Sequence, residues 1–333
     1  MAAGTNVATF GTDGLLATTL KNYTPKLEDN VFGAKVLLWI LKASGSIQDV
    51  GGGSKIVKPL IYAANSNVGS YEDDDVFATA ANTGITAAEF PWKQYYGLVH
   101  FTGIELAKNS GKEALLDLMR SRMQQVELSI ADGMNQMLWA DGAGNSGKDF
   151  MGLGGIISAA DPSVGDLGGI DRTTDAWWQA KVKAASTGNT LSLADMSNIY
   201  NTASEGSDHP DYAVTTQTGF EAYEALLTSL VRYEDTSMGD QGFQNLKFKG
   251  VPIAFDDDVE GGDAGATTIY QESPMFFLNT KYLELSKLAG KWFSPSEMLQ
   301  PTNQDAFYKH LVCYGNLTVS NCARQGVLYD IHA

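Results

Sequence analysis

Gly142-Ala143-Gly144-Asn145-Ser146-Gly147-Lys148-Asp149 is the segment whose spacing most resembles a ligand-binding motif. It fits the dinucleotide glycine fingerprint and most of a P-loop, where backbone N–H groups and a lysine hold phosphate. Both motifs need a strand before and a helix after, so that the phosphate meets a helix N-terminus. Here a long helical pattern comes first and more glycine follows. The position that would supply the magnesium-binding hydroxyl is Asp149. The segment therefore reads as a flexible helix-exit loop. A nucleotide-dependent enzyme using Gly142 to Lys148 is the alternative, and it requires nucleotide binding that disappears in Lys148→Ala.

Asp256-Asp257-Asp258 with Glu260 and Asp263 gathers enough carboxylates to attract calcium, as does Asp73-Asp74-Asp75. The spacing departs from the helix–loop–helix calcium pattern, which needs glycine at its sixth position. Both read as solvated acidic turns. His100, His209, His310 and His332 are scattered without metal-ligand pairing. The two cysteines, Cys313 and Cys322, lack zinc spacing and are too few for a disulfide framework. They are expected as reduced thiols on neighbouring strands. No nucleophile-elbow motif is present. Cofactor: none; metal: none; catalytic residues: none is the expectation.

The elements around these residues are unusual in their order. Residues 1 to about 30 are rich in Gly, Ala, Thr and Asn, and Val31 to Leu41 carries an apolar patch able to form a short helix or strand. Val50-Gly51-Gly52-Gly53-Ser54 is a joint, with Gly51, Gly52 and Gly53 as a hinge. Lys55 to Tyr62 and the aromatic-rich Ala88 to Phe101 read as two strands, each with a proline, Pro59 and Pro91. A proline cannot donate to a ladder, so both belong at edges. The polar tip between them carries Tyr71-Glu72-Asp73-Asp74-Asp75 and is long for a hairpin.

A helix is predicted from Gly111 to Ala140. Ser110 and Glu113 have the capping-box spacing, and Leu115, Met119, Met123, Val126, Ile130, Met134 and Leu138 form one apolar stripe. Glycine-rich loop follows to Thr174. Ser192 caps a helix carrying Leu193, Met196, Ile199 and Tyr200. Tyr212 to Thr216 reads as a buried strand. Thr218 and Glu221 open another helix, to about Val231, and Arg232 to Gly242 is a polar loop. Leu246 to Phe255 reads as two short strands around a turn. Phe276 to Leu278, Tyr282 to Leu288, Phe307 to Ser320 and Gly326 to Ile331 are the remaining strands. A lone hairpin is marginal in water, and an arm cannot satisfy its own backbone groups. Such parts make sense when neighbouring copies cover them.

The chain has 333 residues, 44% of them hydrophobic, which suffices for a core. Its net charge is −16 and it contains no basic run, so its bulk surface repels nucleic acid. Met1 to Thr19 has neither a basic start nor an apolar run, so no secretory signal and no membrane partner are expected.

In this order the parts resemble the major capsid protein of tailed double-stranded DNA bacteriophages, the Hong Kong 97-like fold shared with encapsulin shells. Two stretches carry the resemblance locally: Gln244-Asn245-Leu246-Lys247-Phe248-Lys249-Gly250-Val251-Pro252, and Tyr314-Gly315-Asn316-Leu317 with Asn321, Arg324 and Gln325 to Leu328. The resemblance implies an α+β fold divided into an N-terminal arm (1–49), an extended β-hairpin loop (50–102), a peripheral domain with spine helix and glycine-rich loop (103–190, helix 110–140), an axial domain (191–290) and a C-terminal return (291–333). It implies a structural protein that self-assembles through pentamers and hexamers into an icosahedral shell, in a virion assembled in the host cytoplasm. The implied partners are copies of the chain, a scaffolding protein, a portal and a decoration protein, around double-stranded DNA bound without sequence specificity. An encapsulin compartment is the same-fold alternative.

The resemblance also implies either a separate scaffolding protein or a mature-length product, because the arm is short. Lysine–asparagine crosslinks, found in some relatives, need a buried glutamate beside the pair. They are not expected of Lys55, Lys58 and Lys93. The subunit-interface residues expected are Tyr71, Glu72, Asp73, Asp74 and Asp75 at the loop tip, Phe90 and Trp92 on its strand, and Tyr233, Glu234, Asp235 and Asp240 at the capsomer centre.

Overall fold

A computed structural model of the chain describes residues 35–77, 79–108, 118–157, 161–185, 190–227, 246–259 and 273–331. The apolar patch after the arm is a helix, α1 (Val36–Ala43), which buries Val36, Leu37, Ile40 and Leu41 on one side. Strand β1 (Ile47–Val50) leads through the Gly51–Gly53 joint into β2 (Lys55–Ile61). The predicted aromatic strand is two strands, β3 (Ile85–Pro91) and β4 (Lys93–Thr102), broken at Trp92 after Pro91. Helix α2 (Gly103–Lys108) and the long α3 (Leu118–Trp139) follow. Ser110 and Glu113 lie outside the described residues. α3 ends just before Asp141-Gly142, where the sequence places its stop.

Beyond α3 come α4 (Leu153–Ile157), the small ribbon β5 (Asp166–Leu167) with β6 (Ile170–Asp171), and β7 (Lys181–Ala184). Then come α5 (Leu193–Ala203), β8 (Tyr212–Thr215), α6 (Gln217–Leu226), β9 (Leu246–Phe248), β10 (Val251–Phe255) and β11 (Met275–Leu278). The chain closes with β12 (Leu283–Leu288), β13 (Ser294–Pro295), β14 (Ala306–Val319) and β15 (Gly326–Tyr329).

Two units are distinguished, the larger comprising Ala34–Tyr95, Gly133–Trp292 and Cys313–Ala333. Its main sheet has the order β7-β15-β11-β8-β10-β9. The central strand β11 is wholly apolar and buried at every position, as a strand covered on both faces must be. Side chains alternate along a strand, and the two phenylalanines of β11 show it. Phe277 joins the core built with Met196 and Ile199 of α5 and Phe220 and Tyr223 of α6. Phe276 meets the Trp139 ring, 5.1 Å away. The α5 start is as the sequence predicts: Ser192 Oγ accepts from the Asp195 N–H at 3.1 Å. The α6 start is not. Thr216, rather than Thr218, caps it by accepting from the Gly219 N–H, and the helix stops at Leu226, short of Val231.

β9 and β10 form a two-residue hairpin, Phe248 opposite Val251. Lys249 and Gly250 both take positive φ, 49° and 88°, which is the turn whose twist matches the strands. Lys249 lacks the freedom of glycine there. Its Nζ is held by Ser197 Oγ at 2.7 Å and Asn201 Oδ1 at 2.9 Å, above the Tyr200 ring. A second sheet in this unit pairs β1 parallel to β12, and β12 antiparallel to the end of β14.

Further along the glycine-rich loop, Gly152 and Gly154 pack against the end of α3. Gly154 N–H donates to the Ala140 carbonyl at 3.1 Å. A Cβ on Gly152 would lie 2.1 Å from the Ala140 oxygen. The chain seats its backbone directly on the carbonyl end of the helix. Arg172, almost fully buried, secures the same region by donating to the carbonyls of Gly155 and Ile156 at 3.1 and 3.0 Å. Cys313 lies on β14 and Cys322 in the short turn after it, so they are not both on strands as expected; both are free and buried. Burial pushes the Cys322 thiol far above its ordinary range.

The other unit contains Tyr96–Asp132 and Phe293–Val312. Here β4 and β13 pair with β14. Val99 and Phe101 are buried with Met123 and Val126 of α3 and Phe307. Thr102 and Glu105 form a reciprocal capping box: Thr102 N–H donates to Glu105 Oε2, and Glu105 N–H to Thr102 Oγ1. Arg122 forks onto the Glu105 carboxylate at 2.9 and 3.2 Å and holds it at a pKa of about 2.

Candidate assembly surface

The extended segment from Lys55 to Pro91 presents one face to the chain and the other to solvent. Its register pairs Ile56 with Phe90, Lys58 with Ala88 and Leu60 with Thr86. Ile56, Leu60, Ala88 and Phe90 on this face are buried. The facing support is a turn of the β5–β6 ribbon. Gly168 accepts from the Glu89 N–H at 2.8 Å, and a Cβ on Gly168 would fall 2.9 Å from that of Ala88. Lys58 Nζ reaches Glu284 Oε1 of β12 at 2.5 Å, and the Tyr62 ring stacks on Trp177 at 5.5 Å.

The opposite face pairs Lys55 with Pro91, Val57 with Glu89, Pro59 with Ala87 and Ile61 with Ile85. Lys55 and Glu89 bridge each other at 2.7 Å. Past that bridge the face is apolar and open, with Val57 54%, Ile61 81% and Ile85 73% exposed. In the tip, Val68 and Val76 are also open, at 81% and 96% exposure. Scattered exposed apolar residues are ordinary, but a contiguous exposed patch marks a contact site.

The predicted tip residues fall on this surface. Tyr71 is exposed and meets Phe77 edge-on, centroids 5.0 Å apart. Glu72, Asp73, Asp74 and Asp75 form one tight exposed turn. It is closed by Asp75 Oδ2 accepting from the Glu72 N–H and by the Asp75 N–H donating to the Glu72 carbonyl, both at 2.9 Å. Amide side chains brace the tip from within, Asn67 Nδ2 to the Ala80 carbonyl and Asn82 Nδ2 to Asn65 Oδ1.

Phe90 and Trp92 differ from the tip. Phe90 is fully buried within its own chain, because alternation from the exposed Glu89 and Pro91 turns it inward. It anchors the loop and is not available as a contact. Trp92 is half-buried, and its Nε1 donates to the Gly53 carbonyl at 2.8 Å. It thereby clips the joint in which Gly52 and Gly53 take positive φ of 127° and 111°. Tyr233, Glu234, Asp235 and Asp240 lie outside the described residues.

The segments that resembled ligand sites resolve differently. Gly144–Gly147 is a single turn with Asn145 and Ser146 in left-handed conformation, preceded by α3 rather than a strand. It offers no helix N-terminus to a phosphate. Asp256 is not solvated. It is buried and accepts from Trp139 Nε1 at 3.1 Å, from both carboxylate contacts of Asn135 Nδ2, and from the Asp258 N–H. Asp258 pairs with Lys35 at 2.9 Å. Sequence spacing gave no sign of this cluster, since Lys35, Asn135 and Asp256 are far apart in the chain. Among the described residues, no group of three or more His, Cys, Asp or Glu side chains lies together as a metal site would need. No helix among them is long and apolar enough to cross a membrane.

No family model and no curated protein matches the sequence. Solved structures do. The chain is similar to a protein of the cyanophage A-1(L) capsid asymmetric unit, with a TM-score of 0.70 at 15% identity over 94% of this chain and 97% of that one. It is similar to the capsid of a native GTA particle, with a TM-score of 0.63 at 10% identity over 99% and 100%. It is also similar to the holo-SrpI encapsulin of Synechococcus elongatus PCC 7942, with a TM-score of 0.62 at 10% identity over 95% of each chain. Coverage of nearly the whole chain at such low identity is a likeness of fold, and it matches the arrangement of helices and sheets described above: the chain has the α+β Hong Kong 97-like fold that these phage capsid and encapsulin structures share.

Proposed function

We propose that this chain is a structural shell subunit, the major capsid protein of a tailed double-stranded DNA bacteriophage. The observation that carries the reading is the extended loop. It leaves Val57, Ile61, Val68, Val76 and Ile85 exposed in a single chain, and it does so on a fold whose solved neighbours are shell subunits. Isolated, that surface is a solubility liability. Covered by copies of the chain, it is a set of interfaces closing rings and then a shell.

In this reading residues 1–49 are the arm, 50–102 the extended loop, 103–190 the peripheral domain, 191–290 the axial domain and 291–333 the return. The loop tip at Tyr71 to Asp75 and the capsomer-centre loop at Tyr233 to Asp240 contact neighbouring subunits, and Gly51 to Gly53 act as the hinge. The net charge of −16 lets packaged DNA lie against the shell with few phosphate contacts. The role needs no catalysis and no cofactor. A scaffolding protein, a portal and a decoration protein are the further partners, with assembly in the host cytoplasm.

An encapsulin-type compartment is the second reading, favoured by the SrpI likeness. Electron microscopy of the purified chain at neutral pH tests the shared claim: closed shells, rings or tubes are expected. Nuclease-protected DNA in shells from the native source then distinguishes a virion from an enzyme-storing compartment. Small monodisperse particles at every salt and protein concentration, even with a co-expressed scaffolding protein, would overturn both.

A further inference from the structure

We draw no further inference here: the strongest candidate, the polar cleft of about 380 Å³ beside β1, β2 and β12 lined by Ser46, Lys58, Asp211, Thr280, Lys281 and Glu284, has its charged side chains already held within the chain, Lys58 by Glu284, Lys281 by Asp208 and Asp211 by Thr280, and nothing in the structure shows what fills it.

Discussion

The six-stranded sheet and the extended loop of the larger unit obey opposite rules of burial. β11 is buried at every position, with Met275 and Phe277 in the core under the helices and Phe276 against Trp139. The β2–β3 ribbon is covered on one face by the Gly168 turn, Glu284 and Trp177, and past the Lys55–Glu89 bridge leaves the other apolar and exposed. The sheet is complete within one chain, whereas the ribbon is complete only when something else covers it. In the proposed reading, subunit stability and subunit association therefore reside in different residues of one fold, and substitutions separate them.

The largest effect on the isolated subunit is expected from Phe276→Ala. It removes a fully buried ring from both the sheet and the Trp139 contact, a loss of about 3–5 kcal/mol. Chemical denaturation of the unassembled chain would show it as a lowered midpoint, and an unchanged midpoint would contradict the burial described. Phe90→Ala comes next. Phe90 is equally buried, under the Gly168 turn, and about 3 kcal/mol, the low end for a buried ring, should be lost from the loop. Faster amide exchange at Ile56, Lys58 and Leu60, with the six-stranded sheet still protected, is the expected pattern. Loss of protection in both regions would mean that the loop and the sheet unfold together.

A smaller effect is pH-dependent and lies in the other unit. Arg122 holds Glu105 at a pKa of about 2, below its ordinary 4.5. A carboxylate depressed on folding stabilises above its unfolded pKa and ceases to as pH falls through the folded one. The pair, part-exposed and so discounted for solvent screening, should contribute about 1–2 kcal/mol above pH 4.5, fading between there and about pH 2. Urea midpoints of wild type and Glu105→Gln should converge across that window. The smallest effect on stability is expected from Ile61→Ser with Val76→Ser. Both side chains are exposed, so the free subunit should change by no more than about 0.5 kcal/mol. Sedimentation should nonetheless show assembly lost. Normal shells from this variant would remove the apolar face from the interface.

What the sequence revealed follows the same division. Local rules were readable: the Ser192 cap, the strand from Tyr212, the turn at Lys249-Gly250, and the end of α3 before Gly142. The joint, the paired strands and the acidic tip were readable too, because proline, glycine and charge mark them. The misreadings all turned on what packs against what. Phe90 seemed a contact because aromatics on an exposed loop suggest one, yet its parity turns it inward. Asp256 seemed solvated because its neighbours in sequence are acidic, yet Asn135 and Trp139 bury it. Gly152 and Gly154 read only as part of a glycine-rich loop, yet they are small because a helix end occupies the space a side chain would need. Thr216 displaced Thr218 as a cap although only Thr218 has the box spacing with Glu221, because the strand ends at Thr215 and the helix begins directly after it. The Thr102–Glu105 box was within reach of the same pattern rule that located Ser110 and Glu113.

The direction of the β2–β3 ladder has a mechanical consequence. Its hydrogen bonds run across the strands, and its two ends differ: Lys58, the Gly168 turn and Trp177 grip one face along the ribbon, while the tip is joined only through its own turn. A force drawing the tip outward along the strand axis is carried by the covalent backbones of both strands in parallel, with neither sliding past the other. A force lifting the tip off the supporting face breaks the Trp177, Glu284 and Gly168 contacts one after another, as a zipper opens. The same seven-residue strands are therefore stiff against tension along the loop and compliant against peeling from its tip.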